Sequence, residues 1–250
     1  PLRSWLNASE GTTRSLPNAY SRRWFSTFLG RIDSGIVERE VSFLRRQLPA
    51  PPARLLDLCC GPGRHAAPMS DAGYRVVGVD LDALALADAV DGAAGAAFVR
   101  ADMRRLPLAA GSVDAAICMW QSFGHFDASG NEAVLIELAR VLEPNGVLVM
   151  DLYHRDAIRE GERIIERDGE RVHESRTMRG ERLLVQLRYE SSGDEDSFDW
   201  RLFTPDTLQE VASGAGFQLL LVCAEFDERV VASSDKPRMQ VILRNHRSRS

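Results

Sequence analysis

Between Arg54 and Leu152 short apolar runs alternate with segments of helical periodicity, the pattern of an α/β domain built on a parallel sheet. Five runs read as buried strands: Arg54–Leu58, Arg75–Asp80, Ala97–Ala101, Val113–Met119 and Gly146–Leu152. Helical spacing marks Arg64–Ala72, Ala83–Val90 and Glu132–Leu142, the last stopped by Pro144 and Gly146. Residues 54–153 therefore predict a doubly wound, Rossmann-like core whose ligand crevice lies at the carboxyl ends of its first strands.

Two helices are expected before the core, Asn18–Leu29 and Ser34–Leu48, the second ended by Pro49-Ala50-Pro51-Pro52, so that residues 1–53 read as an N-terminal helical lid. After it, Arg171–Met178, Arg182–Tyr189 and Phe198–Phe203 alternate apolar with polar residues. The turn signals Asp168-Gly169, Arg179-Gly180 and Ser191-Ser192-Gly193 separate them, so residues 154–203 predict an antiparallel β insertion. Thr204 caps a helix with Pro205 at its first position, running to about Ser213. Strands Gln218–Ala224 and Met239–Arg244 complete the sheet within residues 204–250, and Asn245–Ser250 is expected to fray.

Composition narrows the class. With 250 residues, 44% hydrophobic and 27% charged, the chain has enough apolar side chains for a buried core, which excludes general disorder. The net charge of −5 argues against nonspecific binding to nucleic acid or an anionic membrane. Lys236 is the only lysine, a bias that carries no functional signal. Cys59, Cys60, Cys118 and Cys223 form no disulfide framework, no apolar run reaches membrane-spanning length, and Pro1–Arg14 is polar. A cytoplasmic protein is expected. Five scattered histidines with no ligand-spaced pair predict no metal site.

The chemistry concentrates in Leu55-Leu56-Asp57-Leu58-Cys59-Cys60-Gly61-Pro62-Gly63-Arg64-His65-Ala66, an apolar strand, a glycine turn and a helix start. Its G-x-G-x-x-A spacing also fits a dinucleotide fingerprint, so an NAD-dependent oxidoreductase stands as an alternative. Asp57 separates the two, because an acid feeding the turn repels a pyrophosphate and suits a cationic ligand. Its bland role is to tie down the turn through loop amides. Asp80, ending the second strand, is placed for ribose hydroxyls, whereas Asp82 is a helix cap. Asp102 and Met103 end the third strand and suit an adenine amino group and ring face; the other reading of Asp102 is a surface loop acid.

The glycine turn preceded by Asp57, with Asp80 and Asp102 ending the next two strands, resembles the class I S-adenosylmethionine-dependent methyltransferases over about Leu55–Leu152. The resemblance implies a seven-stranded, mostly parallel sheet with an antiparallel last strand, and S-adenosyl-L-methionine as cofactor. It implies that Asp57, Gly61 and Gly63 contact the methionine end, Asp80 the ribose, and Asp102 with Met103 the adenine; Cys59, Leu81 and Met119 join the same cofactor-binding set, and Tyr20 covers the cofactor from the N-terminal lid. Trp24, Phe25 and Phe28 fit a packed helix face better.

On the acceptor side, Cys118-Met119-Trp120-Gln121-Ser122-Phe123-Gly124-His125-Phe126 lacks the Pro-Pro-aromatic tetrapeptide of nucleic-acid amino methyltransferases. It is similar instead to small-molecule members such as the sugar-amine N-methyltransferases, whose lids also combine N-terminal helices with a β insertion. The implied reaction is methyl transfer to N or O of a small-molecule acceptor, in a monomer or homodimer, with no nucleic-acid or membrane partner. His125 and His154 are the candidate catalytic bases, each equally a structural histidine, and His65 is expected to orient the glycine turn. A non-catalytic cofactor-binding regulator is the remaining alternative.

Overall fold

The computed structural model describes residue 18 and residues 20–30, 32–93 and 95–247. The polar start Pro1–Arg14, like the first part of the N-terminal lid, lies outside the described residues.

Eight strands form the main sheet, in the order β11-β10-β12-β5-β4-β1-β2-β3. Its parallel part comprises β1 (Arg54–Leu58), β2 (Arg75–Asp80), β3 (Ala97–Arg100), β4 (Val113–Cys118) and β5 (Leu142–Tyr153). Strand β12 (Arg238–Asn245) inserts antiparallel between β5 and β10 (Phe217–Ala224), which is the reversed strand expected near the chain's end. The eighth strand, β11 (Asp227–Val231), was not expected: its Asp-Glu-Arg start shows no apolar alternation, because it lies at the sheet edge with Val231 mostly exposed.

Alternation along the strands sorts side chains to two faces. Leu55, Ile117 and Val149 pack with Phe43 and Leu44 of α2 (Ser34–Gln47) and Met69 of α3 (Ala66–Asp71), whereas Leu56, Cys118 and Met150 meet α5 (Ala128–Val141) and α6 (Pro205–Gly214) through Leu135, Leu138 and Leu208. Burying each such leucine stabilises the fold by about 1.5–3 kcal/mol. Helix α4 (Ala83–Gly92) joins β2 to β3 and is capped by Asp82, whose carboxylate accepts from the Leu84 and Ala85 amides. Thr204 caps α6 reciprocally with Thr207, and Pro205 opens the helix.

Several boundaries move for local reasons. The first helix is short: Ser21 caps α1 (Arg22–Trp24), which continues as a π-helical turn over Phe25–Leu29, and Asn18 sits outside it at φ 66°. Helix α5 begins at Ala128, not Glu132, because Asp127 accepts from the Gly130 amide and so sets the cap. Strand β5 starts at Leu142 despite Pro144, its register against β4 shifting across the Asn145-Gly146 step. Asn245 does not fray; it is buried, and its Nδ2 donates to the carbonyls of Ala139 and Leu142 at 2.9 and 3.1 Å.

The insertion is a second sheet, β6-β7-β8-β9, of β6 (Gly161–Arg167), β7 (Glu170–Arg179), β8 (Arg182–Tyr189) and β9 (Glu195–Arg201). Strand β6 was missed because Glu162, Arg163, Glu166 and Arg167 mask its alternation, the charge pattern of an exposed edge. The inner face of this sheet carries Val172, Leu183, Tyr189, Phe198 and Trp200, against which Tyr20, Trp24, Phe28 and Tyr153 pack.

Candidate functional site

Strand β1 delivers Asp57 to the carboxyl edge of the sheet and then turns sharply. Cys59, Gly61 and Gly63 all take left-handed backbone angles, φ 58°, 52° and 81°. Gly61 and Gly63 adopt them without strain, and a Cβ on Gly63 would stand 3.1 Å from that of Ala89. The Gly61 amide donates to Asp80 Oδ2 at 2.8 Å and the Asp82 amide to Asp80 Oδ1 at 2.9 Å, so Asp80 ties the turn to the end of β2. Each oxygen keeps a further lone pair for a ligand hydroxyl.

Asp57 is 2% exposed, and its Oδ2 has no hydrogen-bond partner. Burial, reinforced by nearby Asp80, pushes its carboxyl up to about 7 against the opposing pull of Arg64 and the Ala66 amide. The amide bond is the turn-tying role foreseen for this residue; the partnerless oxygen is what that role leaves over.

The other expected cofactor residues divide. Leu81 is half exposed just beyond Asp80, and Met103 is partly exposed after β3. Asp102 is engaged by Arg104, whose Nη2 donates at 2.6 Å and holds the carboxyl below its ordinary range. Met119 is buried in the core cluster of Leu55, Ile117 and Phe43. Cys59 lies 3.9 Å from the Ser122 carbonyl, between the glycine turn and the loop after β4. Phe25 covers the turn, its ring 3.7 Å from where a Gly61 Cβ would stand. Tyr20 is half-buried in the lid, and its desolvation raises its phenol well above the ordinary value, with Tyr153, Cys59 and Asp80 adding to the effect from close by.

Of the two candidate bases, His125 faces this aromatic lid, 6.4 Å between ring centroids from both Tyr20 and Trp200. Its Nδ1 is buried without a partner, and burial with nearby Arg182 pushes the imidazole down to about 4. His154 is bridged to Phe203 at the root of the insertion, its Nδ1 likewise without a partner. Among the described residues no cluster of three His, Cys, Asp or Glu side chains suits a metal. A groove of about 700 Å³ lies on the small sheet, lined by Ile164, His173, Gln186 and Arg188, and none of its lining comes from the glycine turn.

A polar network behind the turn escaped the sequence reading. Glu40 of α2 is 1% exposed and accepts from Arg64 Nη1 (2.6 Å), Trp120 Nε1 (2.7 Å) and, at 2.9 Å, His65 Nε2. These partners overcome the burial that would raise its carboxyl and hold it down to about 2. Asp151, fully buried in β5, accepts from Gln240 Nε2 (2.8 Å), the Trp120 amide (3.1 Å) and Arg238. Between the two carboxylates, Trp120 and Gln121 hold left-handed angles of 56° and 61°, strain that these bonds and the Tyr153 amide on Gln121 Oε1 sustain. His65, just after the turn, is bonded to Glu40 of α2 through Nε2.

The strand order and directions of the main sheet are those of solved methyltransferase structures, and the glycine turn with Asp57 and Asp80 lies at the ends of β1 and β2. Residues 55–146 match the family described as methyltransferase domain. The chain is 32% identical over 146 residues to a malonyl-[acyl-carrier protein] O-methyltransferase of Enterobacter lignolyticus, covering 58% of this chain and 57% of that one. It is 33% identical over 111 residues to the dTDP-3-amino-3,6-dideoxy-alpha-D-glucopyranose N,N-dimethyltransferase of Streptomyces fradiae, covering 44% and 43%. The chain spans about half the length of these curated relatives. Among solved structures, the SAM-bound amino pentose methyltransferase CalS10 of Micromonospora echinaspora superposes with a TM-score of 0.69 at 21% identity, over 91% of this chain and 98% of that one. The alternative of a nicotinamide enzyme finds no support in these likenesses.

Proposed function

We propose that the protein transfers a methyl group from S-adenosyl-L-methionine to a nitrogen or oxygen of a small molecule. The observation that carries this reading is Asp57: a buried carboxylate with a partnerless oxygen beside a glycine turn is matched by a cationic ligand and mismatched by a pyrophosphate. When bound, the cofactor supplies an electrophilic methyl on a sulfonium, displaced in line by the acceptor's lone pair.

The chain's own contribution is to bind, orient and exclude water. Asp57 ionises against the positive charge, Asp80 accepts ribose hydroxyls while holding the Gly61 amide, and the glycine turn leaves room for close backbone approach. Leu81 and Met103 flank the adenine, with Asp102 released in part from Arg104. Tyr20 and Phe25 close the lid over the turn. His125, neutral at pH 7, presents its unpartnered Nδ1 to the acceptor's proton. The acceptor stands between the loop after β4 and the inner face of the small sheet, where Tyr153, Phe198 and Trp200 give it an aromatic wall. The names of the relatives support both N and O acceptors. Among the described residues no helix is long and apolar enough to cross a membrane, and the four cysteines are free thiols, which supports a reducing compartment.

The test is methyl-labelled cofactor incubated with the protein and a metabolite extract. Label is expected in a small-molecule fraction. Tight binding of S-adenosylhomocysteine with no transfer to any acceptor panel would favour a non-catalytic binder instead.

A further inference from the structure

The loops after β3 and β4 meet at one side chain. Arg104, two residues past Asp102, lays its guanidinium carbon 4.2 Å from the centroid of the Phe126 ring, and Phe126 directly follows His125. The same guanidinium forks onto Asp102: Nη2 donates to Oδ2 at 2.6 Å, and Nε lies 3.1 and 3.2 Å from the two carboxylate oxygens. The Phe126 ring in turn meets the His125 imidazole edge-on, with 6.5 Å between centroids. One arginine thus joins the acid set for the adenine to the segment that carries the candidate base.

Neither grip is costly to break. The Arg104 side chain is 46% exposed and that of Asp102 34%, so water screens the ion pair and replaces either partner readily. Asp102 does not depend on the fork for its place, since the Arg104 amide donates to its Oδ1 at 2.8 Å and the Arg105 amide to its carbonyl at 2.9 Å. The guanidinium also has a second carboxylate within its field, Asp127, which caps α5 through the Gly130 amide at 2.8 Å. On the other side of Phe126, Arg182 Nη1 and Asn131 Nδ2 hold the carbonyl at 2.7 and 2.9 Å. The backbone is pinned there, and Arg104 bears on the ring.

We propose that Arg104 is a positioning residue coupling the two halves of the site: an adenine amino group on Asp102 displaces the guanidinium fork, and the freed arginine settles over Phe126 toward Asp127 and orders the His125 segment. The proposal rests on the methyltransferase reading. A ligand shifts such a balance only by the contact it gains in one state over the other, and here that contact is the Asp102 carboxylate for which amino group and guanidinium compete. The coupling is reciprocal, so an acceptor that favours the ordered His125 segment also favours the bound adenine.

Competition has a sign that a simple brace lacks. An arginine that only held Asp102 in place would weaken the cofactor when removed, whereas a competitor strengthens it. In calorimetry Arg104→Gln is expected to bind S-adenosylhomocysteine about fivefold more tightly than the wild type and to leave S-inosylhomocysteine, whose purine carries an oxo group in place of the amino donor, within about twofold. Hydrogen exchange of the whole chain reads the other half. S-adenosylhomocysteine is expected to slow exchange at residues 122–127 in the wild type, S-inosylhomocysteine to do so far less, and neither to do so in Arg104→Gln. Unchanged or weaker S-adenosylhomocysteine binding by a variant that melts with the wild type overturns the proposal, as does protection of residues 122–127 that is the same in variant and wild type. Should Arg104→Gln melt early, Arg104→Lys keeps the charge and loses the fork, and it is expected to retain the affinity gain and part of the protection. Failure of both nucleosides to bind the wild-type protein overturns the methyltransferase reading itself, a different outcome from any of these.

Discussion

Tyr20 stacks on Phe198 with ring centroids 4.6 Å apart and planes 26° from parallel, joining the N-terminal segment to the inner face of the inserted sheet. Polar bonds fasten the same seam. Asn18 exchanges two hydrogen bonds with the Asp199 backbone, at 2.6 and 3.0 Å, and the Ser21 and Tyr189 hydroxyls both donate to Asp196 Oδ2, at 2.7 and 2.8 Å. Arg23 pairs with Glu170 alongside. The first part of the N-terminal lid, Asn18 and Tyr20–Trp24, is therefore fastened to the inserted sheet, while α2, its second helix, is fastened to the core through Glu40 and through the Arg46–Glu228 pair.

Phe198→Ala should loosen that seam at Tyr20. The side chain is 1% exposed, so its loss is expected to cost roughly 3–5 kcal/mol in urea unfolding. Cofactor affinity should fall as well, because Tyr20 and Phe25 lose their backing over the glycine turn. Unchanged S-adenosylhomocysteine affinity in a destabilised Phe198→Ala protein would show that the lid does not cover the cofactor.

Asp57 gives the binding reaction a pH dependence of definite sign. Its carboxyl, pushed up to about 7 by burial, must ionise to meet a cation. Below that pH the affinity for S-adenosylmethionine should fall by about tenfold per unit, with proton release on binding, and level off above it. In the ligand-free chain the raised carboxyl contributes stability that is fully present below about pH 4 and lost as pH rises through about 7. Asp57→Asn should thus flatten the affinity profile and stabilise the free protein at pH 8. Titrations across pH 5.5–8 with melts at each end check both; a variant with the wild-type slope would remove Asp57 from the cofactor's reach.

The parallel core and the glycine turn were legible because buried strands and left-handed glycines leave direct marks: apolar runs in β1 and β4, and Gly61 and Gly63 after an acid. The exposed edges β6 and β11 were not, since edge strands carry charges that hide the alternation. The Glu40 network left a weaker mark. Glu40 stands three and four residues before Phe43 and Leu44 on the buried stripe of α2, and Asp151 interrupts the apolar run of β5; a charge in either place demands a partner. Which partner depends on contacts remote in sequence, Arg64 and Arg238 among them, and no local pattern encodes those.

Gly124 is a backbone joint between the loop after β4 and the inserted sheet. Its φ is 104°, its carbonyl accepts from the Arg201 amide at 2.8 Å, and a Cβ there would come within 2.3 Å of the Arg201 carbonyl oxygen. Gly124→Ala is expected to separate the loop from β9 at a stability cost of about 1–3 kcal/mol and to lower methyl transfer through displacement of His125. Cofactor affinity should change little, because the glycine turn is untouched. Retained turnover at full stability would mean that the joint shifts without cost.

His125 offers the sharpest test of the acceptor side. Burial, with the positive charge of Arg182 nearby, pushes its imidazole down to about 4, and Arg182 also holds the loop by donating to the Phe126 carbonyl at 2.7 Å. A depressed folded-state value contributes stability that is present above the unfolded value near 6.5 and lost as pH falls toward about 4. Urea melts at pH 7.5 and 4.5 should show that loss in the wild type and a smaller one in His125→Gln. With the residue neutral throughout, the rate of methyl transfer should carry no inflection near 6.5 from this group. If Nδ1 receives the acceptor's proton, His125→Gln lowers kcat by roughly 10²-fold or more and leaves S-adenosylhomocysteine affinity intact. A variant that keeps kcat and loses only stability would make His125 a packed wall of the acceptor site and pass the proton to water.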